Sequence, residues 1–187
     1  MPAFRALSAG VGAMVFASGL AFGLSGTLDD SARTIRIAPR SAVQPAAVAA
    51  VTRDQVIARA KTWNPHTSSR IPYSQTSTYG GYRTDCSGYA SMALALSKPG
   101  PNTVGLASST YSTPISMSQL QMGDLIIDAI GSNTTRHAVI FEKWTGSAHS
   151  SYSAYEQRGG YGTDYRTLTY GLSSGSEFKA YRPKNLG

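Results

Sequence analysis

The segment that decides the fold reads Asp85-Cys86-Ser87-Gly88-Tyr89-Ala90-Ser91-Met92-Ala93-Leu94-Ala95-Leu96. Residues 86–97 carry no charge, and the Lys-Pro-Gly sequence that follows at 98–100 is typical of a helix end. A helix that is apolar almost all round is buried. The pattern therefore predicts a central helix over 86–97, packed on a sheet, with Cys86 at its first position.

Cys86 is the single cysteine of this 187-residue chain, which excludes an intrachain disulfide and a multi-cysteine zinc site. At a helix start, unpaired N–H groups and the helix dipole favour the thiolate. The N-terminal region, described below, predicts export. In an exported protein an unpaired thiol is a liability unless it has a chemical function. Two interpretations remain open on these grounds, a small buried hydrophobic residue and a nucleophile.

A thiolate nucleophile needs a base, and the chain offers His66, His137 and His149. His137 begins the apolar run His-Ala-Val-Ile-Phe, so we place it at the end of a strand, within reach of a helix packed on the same sheet. The alternative is a strand-end histidine with a structural role only. His66 follows the first predicted helix and is expected at the surface.

A third polar group should orient the imidazole. If residues 137–144 and 149–157 form a hairpin that turns about Gly146-Ser147, the residue opposite His137 is Glu156. The same pairing sets His149 opposite Trp144, away from the site. A turn two residues earlier would change the pairing, so Gln157 and His149 remain alternatives to Glu156.

The remaining patterns predict an α+β domain with a mostly antiparallel sheet. Thr52 to Gln55 form a capping box for a first helix that ends before Pro65, and Gly80-Gly81 mark a turn in the loop 66–84. No crossover helix separates the later strands. We expect a helical turn over 116–122 and strands over 125–127, 136–144, 150–157, 165–170 and 178–181.

The N-terminal region differs in composition from the rest. Residues 1–26 have Arg5 and then no charge, the form of a secretory signal peptide, with an uncleaved signal anchor as the alternative. Residues 27–50 are predicted to be a disordered linker, and 51–187 the catalytic domain. The net charge of +7 does not come from a Lys/Arg cluster, which argues against nucleic-acid binding. A positive charge spread in this way suits attraction to an anionic cell wall.

Three segments follow one another within residues 52–183. They are the stretch from Pro72-Tyr73 through Gly80-Gly81 to Asp85-Cys86-Ser87-Gly88, the element Leu120-Gln-Met-Gly123-Asp124-Leu125, and the strand His137-Ala-Val-Ile-Phe141. Together, and in this order, they resemble the NlpC/P60 family of cysteine peptidases.

The resemblance implies a papain-like fold in which the central helix carries Cys86 as nucleophile and His137 is the base. It also implies that the Tyr73 hydroxyl holds the substrate carbonyl or its oxyanion. Such enzymes are typically exported from bacteria and cut peptidoglycan stem peptides, often next to D-glutamate and a diamino acid. In the family the third polar residue usually stands where His149 stands here, whereas the longer hairpin favours Glu156.

We therefore expect a secreted or wall-associated thiol peptidase, membrane-anchored if the leader is retained. It should act as a monomer on peptidoglycan peptides, without metal or organic cofactor. Two alternatives remain, an acyltransferase or amidase on another amide, and a non-catalytic cell-wall-binding protein of the same fold.

Overall fold

The computed structural model describes residues 49–187. The predicted leader over 1–26, and the linker over 27–50 except for its last two residues, lie outside the described residues. Across 49–187, every helix is too short or too polar to cross a membrane.

Short helices and an antiparallel sheet make up the described part of the chain, which confirms the α+β class. The helices are α1 (Arg53–Lys61), α2 (Cys86–Ala93) and α3 (Thr103–Leu106), with one 3₁₀ turn at Met117–Gln119. The strands are β1 (Thr78–Tyr79), β2 (Tyr82–Arg83), β3 (Ser112–Ile115), β4 (Leu125–Asp128), β5 (His137–Trp144), β6 (Tyr152–Arg158), β7 (Gly162–Leu168) and β8 (Lys179–Pro183).

Six of the strands form one sheet in the order β3-β8-β4-β5-β6-β7, and every neighbouring pair is antiparallel. Strands β1 and β2 form a separate small hairpin. Gly80 and Gly81 are its two turn residues, and both have positive φ, which glycine adopts without steric cost. The predicted turn at Gly80-Gly81 is confirmed.

Helix α2 is buried along its whole length and packs against α1 and the sheet. The Tyr89 hydroxyl donates to the Ala60 carbonyl of α1 at 2.8 Å, and the Tyr89 ring lies 5.2 Å from that of Trp63. The prediction of a buried central helix is therefore confirmed. The residues of α2 are uncharged because every face of this helix packs against protein.

The predicted end of this helix at Ser97 is wrong, since α2 ends at Ala93. Ala95 has a left-handed conformation, with φ of 53°. Its N–H donates to Met92 O at 3.1 Å, and the N–H of Leu96 donates to Ser91 O at 3.0 Å. These two bonds are a Schellman termination, which usually has glycine at the left-handed position. Alanine in that place left no signal in the sequence.

Helix α1 begins with the predicted capping box, confirmed by reciprocal bonds between Thr52 and Gln55. It is tied to the sheet through Asp124, which is fully buried just before β4. The Asp124 carboxylate accepts from Arg53 at 3.1 Å and from the Arg182 Nη2 of β8 at 2.8 Å. The aspartate of the Gly-Asp-Leu element therefore joins α1, β4 and β8.

Residues 101–115, for which the sequence patterns predict neither a helix nor a strand, contain α3 and β3. Helix α3 is only one turn long and is capped by Asn102, whose Oδ1 accepts from the Gly105 N–H at 2.8 Å. Strand β3 contains Pro114 and lies at the sheet edge, where a missing N–H is tolerated. Neither element is long enough to produce a hydrophobic period in the sequence.

Candidate active site

Cys86 occupies the first position of α2, as the sequence predicted. Asp85 is the N-cap, and its Oδ1 accepts from the Gly88 N–H at 2.6 Å. The backbone N–H of Cys86 has no protein acceptor among residues 49–187, as expected at a helix N-terminus. That N–H and the helix dipole favour negative charge beside the Cys86 sulfur.

The start of α2 is fixed by Arg83 of β2. The Arg83 guanidinium donates to Asp85 Oδ2 at 2.8 Å, and to the carbonyls of Gly100 and Pro101 at 2.7 and 2.8 Å. One side chain thereby holds the N-cap of the cysteine helix against the loop that leads to α3. These bonds fix the position of the Cys86 backbone and do not involve the Cys86 side chain.

The Cys86 thiol lies near two side chains. Its sulfur is 3.8 Å from the hydroxyl oxygen of Thr103, the first residue of α3, which is itself buried. His137 is near enough that Cys86 raises the pKa of its imidazole. Cys86 therefore contacts a hydroxyl and lies within electrostatic reach of an imidazole.

His137 is the first residue of β5. Its Nε2 is 2.7 Å from Glu156 Oε2, so Nδ1 is the ring nitrogen that Glu156 does not engage. Burial lowers the pKa of His137, but hydrogen bonds and charges from Cys86 and Glu156 outweigh that effect and raise its pKa to about 9. The imidazole therefore favours its protonated form beside the sulfur.

Glu156 contacts His137 through a register different from the one predicted. Strands β5 and β6 pair Val139 with Glu156, so the predicted pairing of His137 opposite Glu156 is wrong by two residues. The register also shifts between Phe141 and Lys143, an irregularity that the sequence did not indicate. A shift of two residues keeps a side chain on the same face of the sheet, and diagonal neighbours remain within reach of long side chains.

The Glu156 carboxylate is fully buried, and each of its two oxygens accepts a hydrogen bond. Its Oε2 accepts from His137, and its Oε1 accepts from the Arg166 Nε of β7 through a short bond. Burial favours the protonated acid, but the hydrogen bonds from His137 and Arg166 hold the pKa of Glu156 below its ordinary value. Arg166 is in turn held by the Tyr170 hydroxyl at 2.9 Å. Glu156 is thus a fixed anion behind the imidazole.

Tyr73 lines two adjacent cavities at this site. A cavity of about 160 Å³ is lined by Cys86 and Thr103, and a second of about 360 Å³ by His137 and Glu156. Burial is the largest cause that raises the pKa of Tyr73, so its hydroxyl stays a donor at neutral pH. The structure thus brings together Cys86, His137, Glu156 and Tyr73 around one cleft.

The two alternatives for the third polar group lie elsewhere. The amide nitrogen of Gln157 donates to the carbonyls of Ile71, Pro72 and Thr84 at 3.0 to 3.1 Å and faces away from the imidazole. The His149 ring stacks on that of Trp144, with centroids 4.2 Å apart. Trp144 pairs with Tyr152, so the predicted pairing of Trp144 with His149 is wrong.

His66 lies at the surface, with 66% of its side chain exposed, and its Nδ1 is 2.7 Å from Asp164 Oδ1. Residues 49–187 contain no cluster of three histidine, cysteine or acidic side chains arranged to hold a metal ion.

Sequence reasoning missed four residues that support the cleft, namely Arg83, Thr103, Gln157 in its observed role, and Arg166. Each is polar and acts through contacts with residues that are distant in sequence. Thr103, for example, lies 17 positions after Cys86, the residue that it contacts. The only signal in the sequence was that Arg83 stands three residues before Cys86. This closeness along the chain does not show where the Arg83 guanidinium points.

The chain matches no protein-family model, and no curated protein matches it as a relative.

The arrangement can carry out acyl-transfer chemistry. A thiol at a helix N-terminus, an imidazole next to it and a buried carboxylate behind the imidazole are the three parts of a nucleophile, base and orienting group. The N–H of Cys86, which has no acceptor within residues 49–187, and the Tyr73 hydroxyl are donors available for an oxyanion.

Proposed function

We propose that this protein is an exported thiol peptidase of the NlpC/P60 type, with a papain-like fold, that hydrolyses an amide bond in peptidoglycan stem peptides. One observation carries the proposal. The Cys86 thiol lies at the first position of a buried helix and near enough to His137 to raise the pKa of that imidazole, and Nε2 of His137 is 2.7 Å from buried Glu156. A buried cysteine with only a packing role needs neither partner.

In the proposed reaction, the Cys86 thiolate attacks the scissile carbonyl carbon while His137 holds the proton. The N–H of Cys86 and the hydroxyl of Tyr73 donate to the oxyanion that forms. His137 then protonates the leaving amine, which departs and leaves a thioester on Cys86. Water, deprotonated by His137, hydrolyses this thioester and regenerates the thiol.

The proposal extends to where the protein works. An exported chain with a net charge of +7 would be attracted to an anionic cell wall. We propose that it acts there as a monomer, without nucleic acid or cofactor, and remains at the membrane if its leader is retained.

Digestion of purified muropeptides by the full-length protein tests the peptidase. The wild type should release stem-peptide fragments, while Cys86→Ala and His137→Gln should release none. His149→Gln is the matched control, because that ring stacks on Trp144 away from the cleft and its loss should leave the rate unchanged. Equal hydrolysis by Cys86→Ala and wild type would refute the proposal.

Two other outcomes separate the alternatives. An aminolysed product, identified by mass spectrometry, would assign an acyltransferase that uses the same Cys86. An unreactive Cys86 in iodoacetamide labelling, together with binding of intact peptidoglycan, would assign a wall-binding protein.

A further inference from the structure

The two cavities of the cleft meet at a junction formed by three residues. Tyr73, Gln75 and Arg136 line both of them, whereas Cys86 lines only the smaller cavity and His137 only the larger. A bond attacked by Cys86 and protonated by His137 has to lie between these two residues. The scissile bond would therefore lie at the junction, beside Arg136.

The other arginines that line the cleft already have anionic partners. Arg83 is paired with Asp85, Arg158 with Asp164 at 2.7 Å, and Arg166 with Glu156. Each of these guanidiniums completes a local ion pair and helps to build the walls of the cleft.

Arg136 differs from them. Its backbone N–H donates to Ser132 O at 3.0 Å, which fixes its place at the end of the loop that enters β5. Within residues 49–187, its guanidinium has no hydrogen-bond or ion-pair partner, although the residue is half-buried. Within the described residues, Arg136 is thus the one arginine of the cleft lining without an anionic partner, and it lies at the junction.

We propose that Arg136 binds a carboxylate of the substrate within about one residue of the scissile bond, and so makes the enzyme selective for acidic peptides. A guanidinium presents paired donors that match the two oxygens of a carboxylate. The single positive charge of Arg136 balances a monoanion such as a carboxylate. A phosphate dianion would keep one unbalanced negative charge beside the carboxylates of Asp85 and Glu156. This inference rests on the proposed peptidase function for the position of the scissile bond.

Binding and hydrolysis of two matched peptides test this inference. One is a γ-D-glutamyl-L-lysine peptide with a free glutamyl α-carboxylate, and the other has a carboxamide there. Calorimetry on full-length Cys86→Ala protein measures binding without turnover, and should give about 10- to 100-fold tighter binding of the carboxylate peptide. The double variant Cys86→Ala/Arg136→Gln should bind the two peptides equally.

The same comparison in protein that retains Cys86 gives kcat/KM. Arg136→Gln should lose the preference for the carboxylate and hydrolyse the carboxamide peptide as the wild type does, while Arg136→Lys should keep part of the preference. Lys143→Gln removes one positive charge from an exposed position on β5 and should keep the full preference. Thermal unfolding should be the same for all these variants.

Equal binding of both peptides by the Cys86→Ala protein, or binding of neither, would overturn the role of Arg136. A preference that survives in Cys86→Ala/Arg136→Gln would overturn it as well. Carboxylate-selective binding that depends on Arg136, without hydrolysis by the wild type, would support the carboxylate site and refute the peptidase.

Discussion

His137 Nε2 lies 2.7 Å from Glu156 Oε2, although the two residues are not opposite each other on β5 and β6. Glu156 pairs with Val139, so the contact with His137 is diagonal. The carboxylate reaches the imidazole because its other oxygen is held by Arg166, which prevents it from turning away. This contact engages Nε2 and leaves Nδ1 as the ring nitrogen that we propose serves Cys86.

Glu156→Gln should weaken catalysis and shift its pH dependence. Loss of the carboxylate removes a hydrogen bond and a negative charge that raise the pKa of His137. We expect kcat/KM to fall by at least about tenfold, and its alkaline limb to move below about pH 9. A kcat/KM profile between pH 5 and 10 measures both effects.

The matched control for this change is Glu142→Gln. Glu142 accepts from the hydroxyls of Tyr155 and Tyr165 and does not line the cleft. Its loss should leave the profile in place. An unshifted alkaline limb in Glu156→Gln would mean that Glu156 does not act on His137.

Protonation of His137 should stabilise the folded protein. Its pKa is about 9 in the fold, above its ordinary value of 6.5. The stabilisation is therefore complete below pH 6.5 and is lost as the pH rises through about 9. Urea unfolding should show that the wild type loses roughly 2 to 3 kcal/mol more than His137→Gln between these pH values.

The same titration can be followed directly in the NMR signals of the His137 ring. In Cys86→Ala, the pKa of His137 should be lower than in the wild type, because the sulfur and its charge, which favour the protonated imidazole, are gone. Equal pKa values in the two proteins would argue against contact between the thiol and the imidazole.

Gln157→Met should destabilise the fold and disturb the cleft together. The buried Gln157 amide donates to the Ile71 and Pro72 carbonyls, next to Tyr73, and to the Thr84 carbonyl, two residues before Cys86. Methionine keeps the length of the side chain but removes the only donor of the Pro72 carbonyl, while the Ile71 and Thr84 carbonyls keep the backbone N–H groups of Thr163 and Ser74. We expect the free energy of unfolding to fall by roughly 1 to 3 kcal/mol, as measured by denaturant unfolding.

Misplacement of Tyr73 relative to Cys86 should also lower kcat in this variant at temperatures where it remains folded. Stability within about 0.5 kcal/mol of the wild type would show that these three bonds are dispensable.

Gly88→Ala should prevent folding or cost several kcal/mol, because α2 packs directly against the backbone of β2. A Cβ at Gly88 would lie 2.1 Å from the Arg83 carbonyl oxygen. Relief of this clash requires α2 and Cys86 to move away from Arg83. Circular dichroism and the soluble yield check this expectation.

Gly146→Ala is the matched control for this glycine. Nothing lies within 4 Å of a Cβ built at Gly146, so the substitution should leave the protein folded. If Gly88→Ala were as stable as Gly146→Ala, the close packing of α2 on β2 would be contradicted.

Local patterns predicted the elements whose signals are contiguous in the sequence. The capping box of Thr52 and Gln55, the buried start of α2 at Cys86 and the strand that begins at His137 each depend on residues a few positions apart. The same reasoning extended α2 to Ser97, since the Schellman termination depends on the backbone conformation of Ala95. It also missed β3, an edge strand that forms only because β8 pairs with it.

By itself, the sequence determined the α+β class, the position of Cys86 at a helix start and the face of the hairpin that carries Glu156. These follow from periodicities of one helical turn or two strand residues, which local sterics impose. Only the tertiary structure decided which oxygen meets which nitrogen. The ion pair of Arg166 with Glu156 arises there too, as does the lack, within residues 49–187, of an anionic partner for Arg136 at the cleft. Such contacts depend on strand register and on side chains that are distant in sequence, and no local period encodes them.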